Sequence, residues 1–371
     1  MSAKSFLRKQ TSRVIGLTLL LGLAVPQLVD ARPFTSNKAD SDDKVTELLK
    51  EGRKLTDAGN VPEAIAIYQQ AAELDNKNPK IFSGIGFLQA NQGNFREAIA
   101  AYEQAIALDP KNADFYYALG YSQANLGNND DAIAAYRQAT IYNPRHINAQ
   151  LGLGVVLARE KRYGEALSAY QRVAALEPRN YKSYELMGML FLQQERPQDA
   201  IAPLFKAARF APRQGSIQVS LGAALLDAGN RERGIAALQR ATQLEPRNPA
   251  LQLQIGKILQ AKGQYENAIK AYQRAAALKP DMSEAQSAIG DIYMEKQDYL
   301  AAVVSYRQYV ATEPQNPDAY YKLGKALKGQ DRKEEAIDAL EQAKRLYQAQ
   351  SKTDNLKDID NLLHDLKKGK R

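Results

Sequence analysis

No cysteine and no tryptophan occur in the 371-residue chain, and histidine occurs twice, at His146 and His364. The lack of cysteine excludes a disulfide frame and thiolate chemistry. Zinc and haem sites need clustered His and Cys ligands, so no metal and no cofactor is expected. His146 stands where a helix opens and His364 on the polar side of the last helix, which gives both structural or solvated places. No GxxxxGK[ST] phosphate loop is present, and "GLG" at 152–154 reads as a helical position rather than a dinucleotide turn. Nothing in this inventory points to an enzyme.

Long apolar runs are equally scarce. The run "VIGLTLLLGLAV" at 14–25 has 12 residues, short of the roughly 20 needed to span a bilayer. Lys4, Arg8, Lys9 and Arg13 precede it, and "VDA" follows with small residues suited to cleavage after Ala31. Residues 1–31 therefore predict a signal peptide. The alternative is an uncleaved N-terminal anchor extended through Leu28. The basic flank stays on the cytoplasmic side in either case. The rest of the chain is expected outside the cytoplasm: in a periplasm, in a thylakoid lumen or secreted. A membrane is a partner only if the segment stays uncleaved. Net charge is +8, of which residues 1–31 hold four basic groups and Asp30, leaving +5 for the remainder. That is weak for a nucleic-acid binder, and nucleic acid is not an expected partner.

What the sequence has in abundance is one sentence repeated. Ala64, Ala98, Ala132, Ala166, Ala200, Gly234, Ala268, Ala302 and Ala336 stand 34 residues apart without a slip. Such fixed-period self-similarity is the signature of a repeat array. Twelve residues before each stands a glycine, from Gly52 and Gly86 through Gly324. Four residues after each stands Tyr68, Tyr102, Tyr136, Tyr170, Leu204, Leu238, Tyr272, Tyr306 or Leu340. Pro110, Pro144, Pro178, Pro212, Pro246, Pro280 and Pro314 fall near the unit ends. Nine units result: 45–78, 79–112, 113–146, 147–180, 181–214, 215–248, 249–282, 283–316 and 317–350.

Each unit predicts two helices. Ile81, Ile85 and Leu88, then Ile99, Tyr102 and Ile106, recur at helical spacing. "NQGN" at 91–94 separates them, with Gly93 suited to a left-handed residue after a helix end. Pro110 stops the second helix, and Asn112 or Asp114 can cap the next. The glycine and alanine let helix backbones approach closely, and the tyrosine is expected to pack against the neighbouring unit. One pair cannot bury its apolar face alone, so units must stack.

The pattern Gly120, Ala132, Tyr136, Ala139 and Pro144 resembles the tetratricopeptide repeat (TPR) family at the family's own spacings. The resemblance implies an all-α, right-handed solenoid whose first helices line a concave groove. Departures are local: Gly234 replaces alanine in unit six, and Val173 and Tyr309 replace the small residue at 71, 105 and 139. Units four and eight are expected to pack more loosely or to bend. Residues 32–44 read as a polar flexible leader. Residues 351–371 read as a capping helix with a basic tail, carrying Leu356, Ile359, Leu362, Leu363 and Leu366 on one stripe.

Two charge ladders recur. Acids such as Glu63, Glu97 and Glu165 open the second helices, while Arg137, Arg172, Arg240 and Arg307 follow later in them. Alternating signs at helix ends suit the helix dipole. At the positions with which the family lines its groove, units two to six place Phe87, Asn91, Tyr117, Tyr121, Asn125, Val155, Arg159, Leu186, Met189 and Gln193. They predict a largely apolar trough with a polar edge. Units seven to nine place Gln254, Lys257, Gln260, Asp291, Lys322, Lys325 and Lys328 there, a polar and basic stretch. The Lys, Asn and Arg pattern by which some family members grip a C-terminal carboxylate is missing from the central units. The resemblance implies a non-catalytic protein-interaction scaffold, the trough suits an apolar or amphipathic protein segment, and the wider role expected by analogy is assembly of an envelope or membrane complex. The alternatives are a self-assembling structural envelope protein and a binder of anionic polysaccharide or lipid along the basic ladder. The sequence sets no oligomeric state.

Overall fold

A computed structural model describes residues 39–353 and 355–368 of the chain. The expected signal peptide and the first part of the leader lie outside the described residues. Among the described residues every regular element is helical, in an all-α repeat solenoid. No helix of the described residues is long and apolar enough to cross a membrane.

The helices fall into two compact units, one ending at Ala211 and the other beginning at Pro212. The first contains α1 (Ala39–Asp57), α2 (Val61–Leu74), α3 (Pro79–Asn91), α4 (Phe95–Leu108), α5 (Ala113–Leu126), α6 (Asn129–Tyr142), α7 (Ile147–Arg159), α8 (Tyr163–Leu176), α9 (Tyr181–Gln193) and α10 (Pro197–Phe210). The second contains α11 (Gly215–Asp227), α12 (Arg231–Leu244), α13 (Pro249–Ala261), α14 (Tyr265–Leu278), α15 (Ser283–Glu295), α16 (Tyr299–Thr312), α17 (Pro317–Gly329), α18 (Lys333–Ala349) and α19 (Leu356–Lys368). Within each, consecutive helices pack pairwise and first helices also touch first helices, as α5 does with α3 and α7. Within the earlier unit the first helices α3, α5, α7 and α9 therefore form a row. The leader differs from expectation at its end, because residues 39–44 are the opening turns of α1.

Local chemistry sets the helix limits. The side chains of Asn78, Asn112, Asn180, Asn248 and Asn316 cap first helices, Asn112 accepting from the Asp114 N–H at 3.1 Å. His146 does the same work in unit four, its Nδ1 accepting from the Ala149 N–H at 3.2 Å. Between the two helices of each unit one residue has positive φ, and it recurs every 34 residues. It is glycine at 59, 93, 127, 229 and 263, but Lys161, Glu195, Gln297 and Asp331 elsewhere. A side chain in that conformation costs about 1–2 kcal/mol. Glu195→Gly is therefore expected to stabilise its unit by about 0.5–1 kcal/mol, read as a higher midpoint in urea. An unchanged or lower midpoint would contradict this account.

The repeated glycine meets the repeated tyrosine of its own unit, which corrects the sequence expectation in part. A Cβ built on Gly120 would lie 2.9 Å from Tyr136 Cδ1. The same ring also reaches the next unit, where a Cβ on Gly152 would lie 2.6 Å from Tyr136 Cζ. Tyr68 and Tyr136 thus each join their own two helices to the first helix beyond. A Gly154→Leu chain would drive a side chain into the buried Tyr170 ring. The ring is held on all sides, so the helices must part, at about 1–3 kcal/mol. Gly164 sits on the same pair with open space around it, and Gly164→Ala is the control that should show no such loss. Equal melting losses for the two would sink the argument.

Units four and eight do not loosen at their larger residues. Val173 is fully buried. Tyr309 is buried at 9% exposure, and its hydroxyl accepts from Asn316 Nδ2 at 2.9 Å. The capping stripe closes the last repeat: Ile359, Leu363 and Leu366 are buried against Leu340, Ala343 and Tyr347. Lys344–Asp360 at 2.6 Å and Lys367–Glu341 at 2.8 Å edge the contact.

Candidate functional site: the row of first helices

Helix rotation decides which of the ten trough residues face outward. Tyr117, Val155 and Leu186 are core residues, exposed by only 4%, 7% and 2%. They pack in one cluster with Tyr136, Val156, Tyr170 and Leu190. Tyr117 also stacks on the His146 ring at 4.8 Å. Their role is to hold the row together. Phe87, Tyr121, Arg159 and Met189 are half-buried, and Asn91, Asn125 and Gln193 are exposed. Tyr121 is braced edge-on by Phe95 at 6.3 Å, and the Asn125 amide donates to the Tyr121 carbonyl at 2.8 Å. The surface that remains is narrower than the sequence expectation: separate aromatic and thioether contacts between amides.

Arg159 is tied across the joint between units three and four. Its Nη1 donates to Ala124 O at 2.9 Å and to Asn129 Oδ1 at 2.8 Å. Ala124 lies in the last turn of α5, where the C-terminal end of the helix dipole makes a cation favourable. Burial draws the guanidinium pKa below its usual value. In unit five, Lys182 pairs with the buried Glu185 at 3.0 Å.

Two of the four lysines in the basic stretch of units seven to nine are paired with acids. Lys257 pairs with Glu284 at 2.5 Å and Lys322 with Asp291 at 2.7 Å. Lys322 also donates to Ser287 Oγ at 2.8 Å, and Tyr306 donates to Asp291 Oδ1 at 2.7 Å. Two of the second-helix arginines also reach acids. Arg137 reaches Glu165 of the following unit at 2.7 Å, and Arg307 reaches Glu335 at 2.8 Å. Glu165 is held below the ordinary carboxylate range by its hydrogen bond from Arg162 first, then by Arg137. Among the described residues no group of three or more His, Asp or Glu could hold a metal.

A second concavity was not anticipated. A cavity of about 830 Å³ opens between α14, α15 and α16, over Gln286, Ile289 and Tyr293. Leu300 and Val304 border it and are exposed by 64% and 55%. The signal was present in the period: unit seven has Glu266 and Lys270 at the equivalent positions.

Comparison with known proteins agrees with this architecture. Models described as "TPR repeat" match residues 52–93, 91–127, 256–297 and 290–331. Models described as "Tetratricopeptide repeat" match 117–181, 162–216 and 317–350. Among solved structures the chain is similar to a tetratricopeptide repeat protein from Parabacteroides merdae, at 18% identity and TM-score 0.54, over 68% of this chain and 99% of that one. It is similar to pilF of Pseudomonas aeruginosa at 21% identity and TM-score 0.46, over 56% and 95% of the two chains. It is also similar to YrrB, described as a TPR protein with an unusual peptide-binding site, at 20% identity and TM-score 0.40, over 51% and 97%. At these identities the likeness is one of fold. No curated protein matches the sequence.

Proposed function

Because the chain belongs to the tetratricopeptide repeat family, we propose that it is a non-catalytic scaffold holding an apolar or amphipathic protein segment along its row of first helices. The observation that carries this reading is the spacing of Phe87, Tyr121 and Met189, half-buried along one row, with Asn91, Asn125 and Gln193 exposed beside them. Apolar surface on a concave face, with amides to pair a backbone, suits a bound segment. We place the scaffold outside the cytoplasm on the sequence of residues 1–31, and its wider role in assembling an envelope or membrane complex rests on family analogy.

A photo-crosslinking residue at the exposed Asn125, introduced in living cells, tests the reading. A dominant adduct with an apolar segment of another protein is the expected result. Adducts confined to the chain itself would favour self-assembly and overturn it. Location is tested by a β-lactamase fused to the C-terminus, which protects cells only when exported.

A further inference from the structure

The outward side of the second helices repeats at fixed positions. Unit seven places Glu266, Lys270 and Arg274 there, and unit nine places Glu334, Asp338 and Gln342. Unit eight places Leu300, Val304 and Gln308 at the same positions on α16. Residues four apart share one face of a helix. Leu300 and Val304 are exposed on that face, while Ala302, Val303 and Tyr306 beside them fill the core. The exposed pair adds little to the packing of its own unit. Large apolar groups gathered in water mark a contact surface.

The cavity beside this stripe lies over Ile289 and Tyr293 of α15, between Ala276 and Ala277 of α14 and Ala301 and Ser305 of α16. Small residues along both sides leave it open. Leu300 and Val304 border it, so one patch carries an apolar projection and, next to it, a recess. A two-fold axis sets such a patch against itself, and each copy's projection then enters the other's recess. The same axis brings each residue near it towards its own duplicate. Glu334 and Asp338 would meet like charges in such a pairing, whereas Leu300, Val304 and Gln308 meet none. Charged groups at neighbouring positions are already occupied. Asp298 accepts from the Ala301 N–H at 3.1 Å, Lys296 pairs with Glu266 at 2.8 Å, and Arg307 pairs with Glu335 at 2.8 Å.

We propose that a second copy of the chain covers this patch, the two α16 helices meeting about a two-fold axis with Leu300 and Val304 of each copy seated in the cavity of the other. Each copy brings two large apolar side chains to the contact. That places it at the small end of protein interfaces, where pairing is weak and follows concentration. The contact uses none of the trough residues and does not depend on the scaffold reading. Its consequence for a scaffold is two troughs on one particle, so that a partner presenting two segments is held more tightly than either segment alone.

Sedimentation velocity tests the pairing on the full chain. From about 1 to about 300 µM the mass should rise from one copy to two. Leu300→Asp combined with Val304→Asp should weaken pairing by about a hundredfold, because the two-fold axis repeats each loss. Both positions are exposed, so the double variant should keep the circular dichroism and Tm of the parent. The chain has no cysteine, so Val304→Cys introduces a single thiol. A short bis-maleimide should link that variant into dimers, and adding Leu300→Asp should stop it. Ile141→Cys, at a position equally exposed on α6, is the control and should stay unlinked. One copy at every concentration, or dimers that survive the double substitution, would overturn the proposal. Equal linking through Val304→Cys and Ile141→Cys would show chance encounter and would overturn it too.

Discussion

Raising the pH above 10 is expected to unfold both compact units, the one ending at Ala211 and the one beginning at Pro212. Burial, the largest cause in each case, pushes the hydroxyl pKa of Tyr102, Tyr117, Tyr136 and Tyr170 up, and does the same for Tyr272 and Tyr306. In the unfolded chain these groups ionise near pH 10. A phenol with a raised folded pKa binds its proton more tightly in the native state. Its contribution is intact below pH 10 and is lost as pH rises beyond it. Each such group removes about 1.4 kcal/mol per pH unit until its folded pKa is reached. Four groups in the earlier unit remove about 5 kcal/mol by pH 11, and the later unit loses stability on a similar scale, because burial raises Tyr309 and Tyr321 besides Tyr272 and Tyr306. Stability on this scale is a large share of what a domain has. Far-UV circular dichroism recorded with tyrosinate absorbance should show helix loss and ionisation rising together. Full ionisation with the helices intact would mean that the hydroxyls are reached by water in the native state.

Replacing Ile359, Leu363 and Leu366 together by alanine is expected to detach α19 and expose the end of the array. Each side chain is buried, and each truncation costs about 2–5 kcal/mol. The loss of about 6 kcal/mol or more exceeds what the rim contacts Lys344–Asp360 and Lys367–Glu341 can hold, since both involve exposed carboxylates screened by water. Hydrogen exchange should then accelerate first in α19 and next in α18, whose Leu340, Ala343 and Tyr347 lose their cover. Nearest-neighbour coupling predicts that protection falls off towards the array interior rather than uniformly. Uniform loss would mean that the later unit unfolds as one block.

Much of the fold was legible because one constraint repeats. A glycine facing a ring can be found by its period, and the helix pairs follow from the apolar spacing around it. The site was legible only in outline. Tyr117 and Tyr121 occupy the same helix one turn apart, yet the first is buried and the second half-open. A modest rotation of α5 about its axis decides between them, and periodicity does not fix rotation that closely. Arg159 was visible as a groove residue, but its partners Ala124 and Asn129 lie about one period away on other helices. The leader misled at its end because a run of acids reads as solvated chain.

Tyr68 is gripped on both edges. A Cβ on Gly52 would lie 2.8 Å from its Cε2, and one on Gly84 would lie 2.8 Å from its Cε1. Rotation of the ring by half a turn sweeps both edges through the space now filled by two glycine backbones. The flip therefore waits for α1 and α3 to draw apart, and its rate is a clock for that parting. Separate resonances for the two sides of the ring, merging on warming, would time the breathing of a repeat joint from a single side chain.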